Sequence, residues 1–144
     1  MSHSIQIVIA CEDPSRLTEF WAPALGYVPE PPPEGFDTWH QFADAVGIPE
    51  ANRNDLGAVV DPDGHGPRLL FERYDGGRPN QRVHFDINVI GRLPLSNEER
   101  KQRLAEERVR LEGLGAEFKR EATGFAGEYW IEMFDPEGNW FCVQ

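Results

Sequence analysis

The chain is poor in cysteine, in positive charge and in long apolar runs. Only two of its 144 residues are cysteines, Cys11 and Cys142. Two do not build the disulfide framework of a small secreted domain. Both lie in apolar, strand-like stretches and read as buried, reduced thiols. Lysine and arginine number 14 against 25 acidic residues, a formal net charge of −11. With no basic cluster among aromatics, nucleic acids and anionic membranes are poor partners. No apolar run reaches the about 20 residues that cross a bilayer. The first residues, Met1-Ser2-His3-Ser4, lack the basic and apolar regions of a signal peptide. A cytoplasmic location is therefore expected. What is present, 40% apolar and 27% charged residues, suits one globular domain with a real core.

The most informative stretch is 82–89, Arg-Val-His-Phe-Asp-Ile-Asn-Val. Val83, Phe85, Ile87 and Val89 alternate with His84, Asp86 and Asn88, the period of a strand with one apolar and one polar face. The polar face either meets solvent or lines a ligand site. A counterpart opens the chain: Ser4–Cys11 sets Ile5, Ile7 and Ile9 against Gln6, Val8 and Ala10.

Helices follow both strands. Asp13 and Pro14 make a helix start. Leu17, Phe20, Trp21, Ala24 and Leu25 then share one helical face, with Pro23 inside and Gly26 as a stop. Thr38 to Gly47 reads as a short helix. In the second half Ser96-Asn97-Glu98-Glu99 has capping-box spacing. The helix it opens runs to about Leu114, with Leu104, Leu111 and Leu114 on one face and Glu99–Arg103 and Glu106–Arg110 as exposed pairs. Further strands are expected at 56–60, 68–74, 116–120, 128–134 and 140–144.

The order repeats: strand, helix, Leu-Gly, strands, Asp-Pro-acid-Gly, strand. Asp61-Pro62-Asp63-Gly64 answers Asp135-Pro136-Glu137-Gly138. The parse is one α+β domain, 1–144, of two tandem βαβββ modules at 1–74 and 82–144 with a linker at 75–81. The expected form is a curved mixed sheet, a cup with helices outside. Overlaying the halves sets Gln6 against His84, Leu70 against Cys142 and Glu72 against Gln144. The last two rest on a two-residue gap.

Several motifs carry a resemblance: Phe20-Trp21 before Leu25-Gly26, Asp61-Pro62-Asp63-Gly64, Arg82-Val83-His84-Phe85-Asp86, Leu114-Gly115-Ala116, and Asp135 to Val143. In this order the chain resembles the vicinal oxygen chelate group (glyoxalase, bleomycin resistance, dioxygenase), and within it the glyoxalase-like subgroup common in bacteria. The resemblance implies a homodimer and a site inside the cup. Metal-using members hold the ion at four inward positions. Here those fall on Gln6, on Leu70 (or Glu72 if the strand slips by two), on His84 and on Cys142. Hard ions need carboxylate oxygens, which Gln, Leu, His and Cys do not supply. Substituting Glu72 gives a set zinc could accept. No standard catalytic metal is expected, with a divalent ion through His84, Gln6 and Glu72 as the alternative.

The candidate chemistry follows. His84, with Glu72 or Glu132, is the acid/base candidate. The alternatives are a histidine hydrogen-bonded to Asp86 or Gln6, and salt bridges from the two glutamates to Arg68 or Arg82. Trp39, Trp130 and Trp140 are candidates to stack on a planar ligand, with Gln6, Asp86 and Cys142 completing the binding set. Two functions stand: an enzyme on a small organic molecule (lyase, isomerase, hydrolase or dioxygenase type), or a protein that sequesters such a compound, as the family's resistance members do.

Overall fold

The computed structural model describes residues 2–75, 80–91 and 93–144. Most of the expected linker, 76–79, lies outside them. The chain divides into two compact units, Ile7–Val83 and the first residues up to Gln6 together with His84–Gln144. The boundary thus falls inside the first strand, β1 (Ser4–Cys11). Its leading residues group with the later part of the chain, where Asn88 Nδ2 donates to Ser4 Oγ at 3.0 Å.

The Ile7–Val83 unit runs β1, α1 (Pro14–Leu25), β2 (Val28–Pro29), α2 (Trp39–Val46), a 3-10 turn at Glu50–Asn52, β3 (Leu56–Val60) and β4 (Leu69–Arg73). Its strand order is β2-β3-β4-β1, with β1 and β4 parallel and the other pairs antiparallel. Asp13 caps α1 by accepting from the Arg16 N–H at 3.1 Å, and Gly26 closes it at φ 71°, a conformation glycine adopts without strain. The helix buries Ala22 and packs Leu17 and Trp21 on Val59, Leu69 and Phe71.

The second unit repeats the scheme: β5 (Val83–Asn88), α3 (Asn97–Gly113), β6 (Glu117–Thr123), β7 (Tyr129–Phe134) and β8 (Trp140–Val143). Its order is β5-β8-β7-β6, with β5 and β8 parallel and the rest antiparallel. Ser96 and Glu99 form the expected capping box. Leu104 and Leu111 face a core of Ile90, Ile131, Met133 and Val143. Leu114 does not join them: it stands past the helix end and is exposed.

The halves also share their turns. Asp61 accepts backbone N–H bonds from Asp63, His65 and Gly66, and Asp135 accepts from Glu137 and Asn139. Backbone hydrogen bonds from Asp63 and Gly66 chiefly lower the Asp61 pKa; the Asn139 side chain and backbone chiefly lower that of Asp135. A short acidic side chain in this place organises the turn by capturing its own downstream amides.

Three further expectations need correction. The β6 strand extends to Thr123 rather than Arg120, because it stays paired with β7 as far as Tyr129. Arg110 pairs with Glu107 at 2.6 Å, not with Glu106. Glu107 is buried at 8% exposure, and a buried carboxylate needs its partner more than an exposed one does. The face of β5 expected to be dry is half open: Phe85 is 50% exposed, because α3 packs chiefly over β7 and β6. The polar residues His84 and Asp86 are the buried ones, at 6% each.

Candidate functional site

The site lies on one face of the second unit and is built by strand register. Asp86 pairs with Cys142 across β5 and β8, Cys142 with Glu132 across β8 and β7, and Glu132 with Arg120 across β7 and β6. Residues in register project to the same side, so these four form a row across the sheet. His84 and Trp140, each two residues earlier on its strand, share that face. Their rings stack, with centroids 3.8 Å apart and planes at 29°.

Asp86 is the hub. Its Oδ2 accepts from Gln6 Nε2 and, at 3.4 Å, from Gln144 Nε2. Gln144 also donates to Asn88 Oδ1 at 3.0 Å. The other oxygen, Oδ1, is buried and accepts no hydrogen bond. His84 Nε2 lies 3.3 Å from it, within ion-pair range if the ring is protonated.

Glu132 is 2% exposed and fully engaged. Arg120 Nε and Nη2 each donate to it at 2.8 Å, and Lys119 Nζ lies 3.1 Å away. Burial pushes its pKa up; the hydrogen bonds from Arg120 and Lys119 outweigh this, and the net shift is downward. So held, Glu132 is a poor base near neutral pH. Adjacent strand residues normally point to opposite faces. Here the β6–β7 register jumps between Phe118 and Arg120, so Lys119 is the extra residue of a bulge and both cations reach one carboxylate. Lys119 Nζ also lies 4.9 Å from the Trp140 ring centroid.

The expected site residues are thus partly assembled. Gln6, His84, Asp86, Glu132, Trp140 and Cys142 sit on the polar face of this unit. Trp130 is half-buried on β7, in register with Ala122. Glu72 and Trp39 belong to the Ile7–Val83 unit. Glu72 is half-buried in β4, in register with Ala10 and Leu56. Trp39 is 45% exposed at the start of α2 and donates to the Glu30 carbonyl at 2.9 Å. The expected bridges to Arg68 or Arg82 are replaced for Glu132 by Lys119 and Arg120, and Arg68 forks onto Glu30. Lys119 and Arg120 were not among the expected site residues, because a bulge leaves no mark in alternation; Gln144, also not among them, stands just past the end of β8.

Register also decides the overlay. In the first half Val8 pairs with Leu70 and Ala10 with Glu72. In the second Asp86 pairs with Cys142. With Gln6 set on His84, Val8 falls on Asp86, so Leu70 corresponds to Cys142 and Glu72 to Gln144. The second position of the standard metal set is therefore Leu70, which has no donor atom. Gln6, Leu70, His84 and Cys142 do not fit a magnesium- or manganese-type centre, for want of a carboxylate. A different trio is close: donor atoms of His84, Asp86 and Cys142, all buried, lie within 4.8 Å of one another.

Two βαβββ units with the same strand order, each turned at Asp-Pro-acid-Gly, define the vicinal oxygen chelate class. More narrowly, residues 6–144 match the family model of the glyoxalase-like domain, and the chain belongs to that family. A solved structure of an NAD-dependent benzaldehyde dehydrogenase from Legionella pneumophila is similar in fold, at TM-score 0.58 and 14% identity over 96% of each chain. A glyoxalase/bleomycin resistance/dioxygenase superfamily member from Vibrio splendidus 12B01 gives 0.47 and 14%, over 99% of this chain and 97% of that one. A fosfomycin resistance protein from Listeria monocytogenes gives 0.32 and 15%, over 100% and 87%. No curated protein matches the chain. No helix among the described residues is long and apolar enough to cross a membrane.

Proposed function

We propose that the protein binds a small organic molecule against the polar face of β5, β8 and β7, without the hard-ion centre of the standard glyoxalases. One observation carries this reading: a strand whose polar side chains, His84 and Asp86, are buried while its apolar Phe85 is half exposed. Burying polar groups costs free energy unless they are bonded. A protein that keeps them inside, beside the stacked His84–Trp140 pair, has a surface suited to orienting a ligand with polar edges. The absence of a carboxylate from the four standard positions argues for binding rather than metal-dependent lyase chemistry. A homodimer, implied by the family, belongs to the same proposal and would show in light scattering as twice the 16.4 kDa chain.

The test is a thermal-shift screen of small aromatic and heteroaromatic compounds, followed by calorimetric titration of any that bind. His84→Ala and Trp140→Ala should weaken binding by about tenfold or more, roughly 1.4 kcal/mol. Exposed Val109→Ala should leave it unchanged. Equal affinity in all variants would place the ligand elsewhere and end this reading.

A second reading, a lyase or isomerase using His84 as proton carrier, is favoured by Asp86 Oδ1 at 3.3 Å from His84 Nε2, a carboxylate placed to orient the ring. Turnover of a bound compound by the wild type and not by His84→Gln would decide for it.

A further inference from the structure

We infer that His84, Asp86 and Cys142 form a binding site for a borderline divalent cation, zinc above all, on β5 and β8. The site departs from the metal set implied by the family in drawing its carboxylate from the strand that carries the histidine.

Three observations support it. The donor atoms are mixed nitrogen, oxygen and sulfur, and lie within 4.8 Å of one another. Around a tetrahedral zinc with bonds of about 2.0–2.3 Å, ligands stand roughly 3.5 Å apart. Closing on the ion thus asks for shifts of about 1 Å, within the reach of side-chain torsions. All three residues are buried, at 5–6% exposure, so water does not compete from every side. Most telling is Asp86 Oδ1, a buried carboxylate oxygen that accepts no hydrogen bond. Such an atom is costly and calls for an explanation, of which an ion is one.

The surroundings are arranged as a metal site needs. Gln6 and Gln144 hold the far oxygen, Oδ2, fixing the carboxylate with Oδ1 on the His84 side, 3.3 Å from His84 Nε2. The stack on Trp140 fixes the His84 ring plane. Three protein donors leave the fourth position open, the pattern of sites that bind an exchangeable ligand. Thiolate and imidazole select zinc-like ions over magnesium, calcium and manganese, which want oxygen alone.

The inference goes beyond the proposed binding function and fails separately from it, because its test uses the metal alone. Chelator-treated protein is titrated with cobalt(II) as a zinc probe. Expected are a near-ultraviolet thiolate-to-cobalt charge-transfer band and the visible bands of a four-coordinate ion, both abolished by one equivalent of zinc. Cys142→Ser should remove the charge-transfer band, Cys11→Ser should keep it, and Asp86→Asn should weaken cobalt binding by about tenfold or more. Manganese should compete only at a large excess over zinc. X-ray absorption on zinc-loaded wild-type protein needs no variant and should find one sulfur ligand. No charge-transfer band, a band that survives Cys142→Ser, a zinc shell without sulfur, or manganese binding as tight as zinc would each overturn the inference.

Discussion

Arg120 holds Glu132 with both arms of its guanidinium, each contact at 2.8 Å, across the β6–β7 pair. The partners are unequally placed: the Glu132 side chain is 3% exposed and that of Arg120 63%. The cost of breaking the pair should therefore depend on which partner is removed. Arg120→Ala leaves a buried carboxylate with Lys119 alone and should destabilise by about 1–3 kcal/mol. Glu132→Gln removes the buried charge and releases two cations that can return to water, so it should cost less. Urea unfolding of the two variants measures the order, and the reverse order would show that the pair is held for another reason.

The same ion cluster predicts an acid limb. Burial alone would raise the Glu132 pKa; Arg120 and Lys119 bring it below the ordinary 4.5. A group with a lowered folded pKa binds more protons when unfolded, so its stabilisation is full above about pH 4.5 and is lost as pH falls through the folded value. Wild-type stability should drop through that window. Glu132→Gln should drop less steeply there and match the wild-type slope near neutral pH. Parallel curves across the acid range would refute the assignment.

How much of this was readable in the chain depends on whether the cause is local. Asp13 with Pro14, Ser96 with Glu99, and the Asp-Pro-acid-Gly turns act within a few residues, and each appears where its pattern puts it. The alternation of β5 placed His84 and Asp86 on one face. It did not reveal which face would be buried, since that depends on where α3 lies. Nor did it reveal Lys119 and Arg120, which meet at Glu132 only because β6 bulges. The repeat did carry one cross-strand relation: it set Leu70 against Cys142, and the registers of β4 on β1 and of β8 on β5 agree. Outside the repeat, long-range pairing separates the legible from the illegible here.

Core packing in the second unit makes a prediction independent of the site. Leu104 is 1% exposed in the cluster with Ile131, Met133 and Val143, whereas Val109 on the same helix is 67% exposed. Leu104→Ala should cost about 2–5 kcal/mol by opening a cavity, and Val109→Ala should fall within about 0.5 kcal/mol of wild type. Thermal unfolding followed by circular dichroism separates the two. Comparable losses would mean that α3 does not seat on β7 through Leu104.

The last prediction concerns the Asp86 hub. Gln6 donates to Oδ2 through its amide nitrogen, and Gln144 does the same at 3.4 Å. Gln6→Ala removes one donor from a carboxylate that is 6% exposed. It leaves little room for water to replace it, so a loss of about 1–3 kcal/mol is expected. Gln6→Glu should cost more, because it sets a second carboxylate against the first in a place water cannot screen. Asp86→Asn in the Gln6→Glu background should recover part of that loss, since its amide can donate where Asp86 could only accept. A double-mutant cycle over the wild type, Gln6→Glu, Asp86→Asn and the double variant gives the coupling directly. Additive effects would show that the two side chains do not meet in solution, and a favourable coupling in the double variant would show that Gln6 bears directly on Asp86.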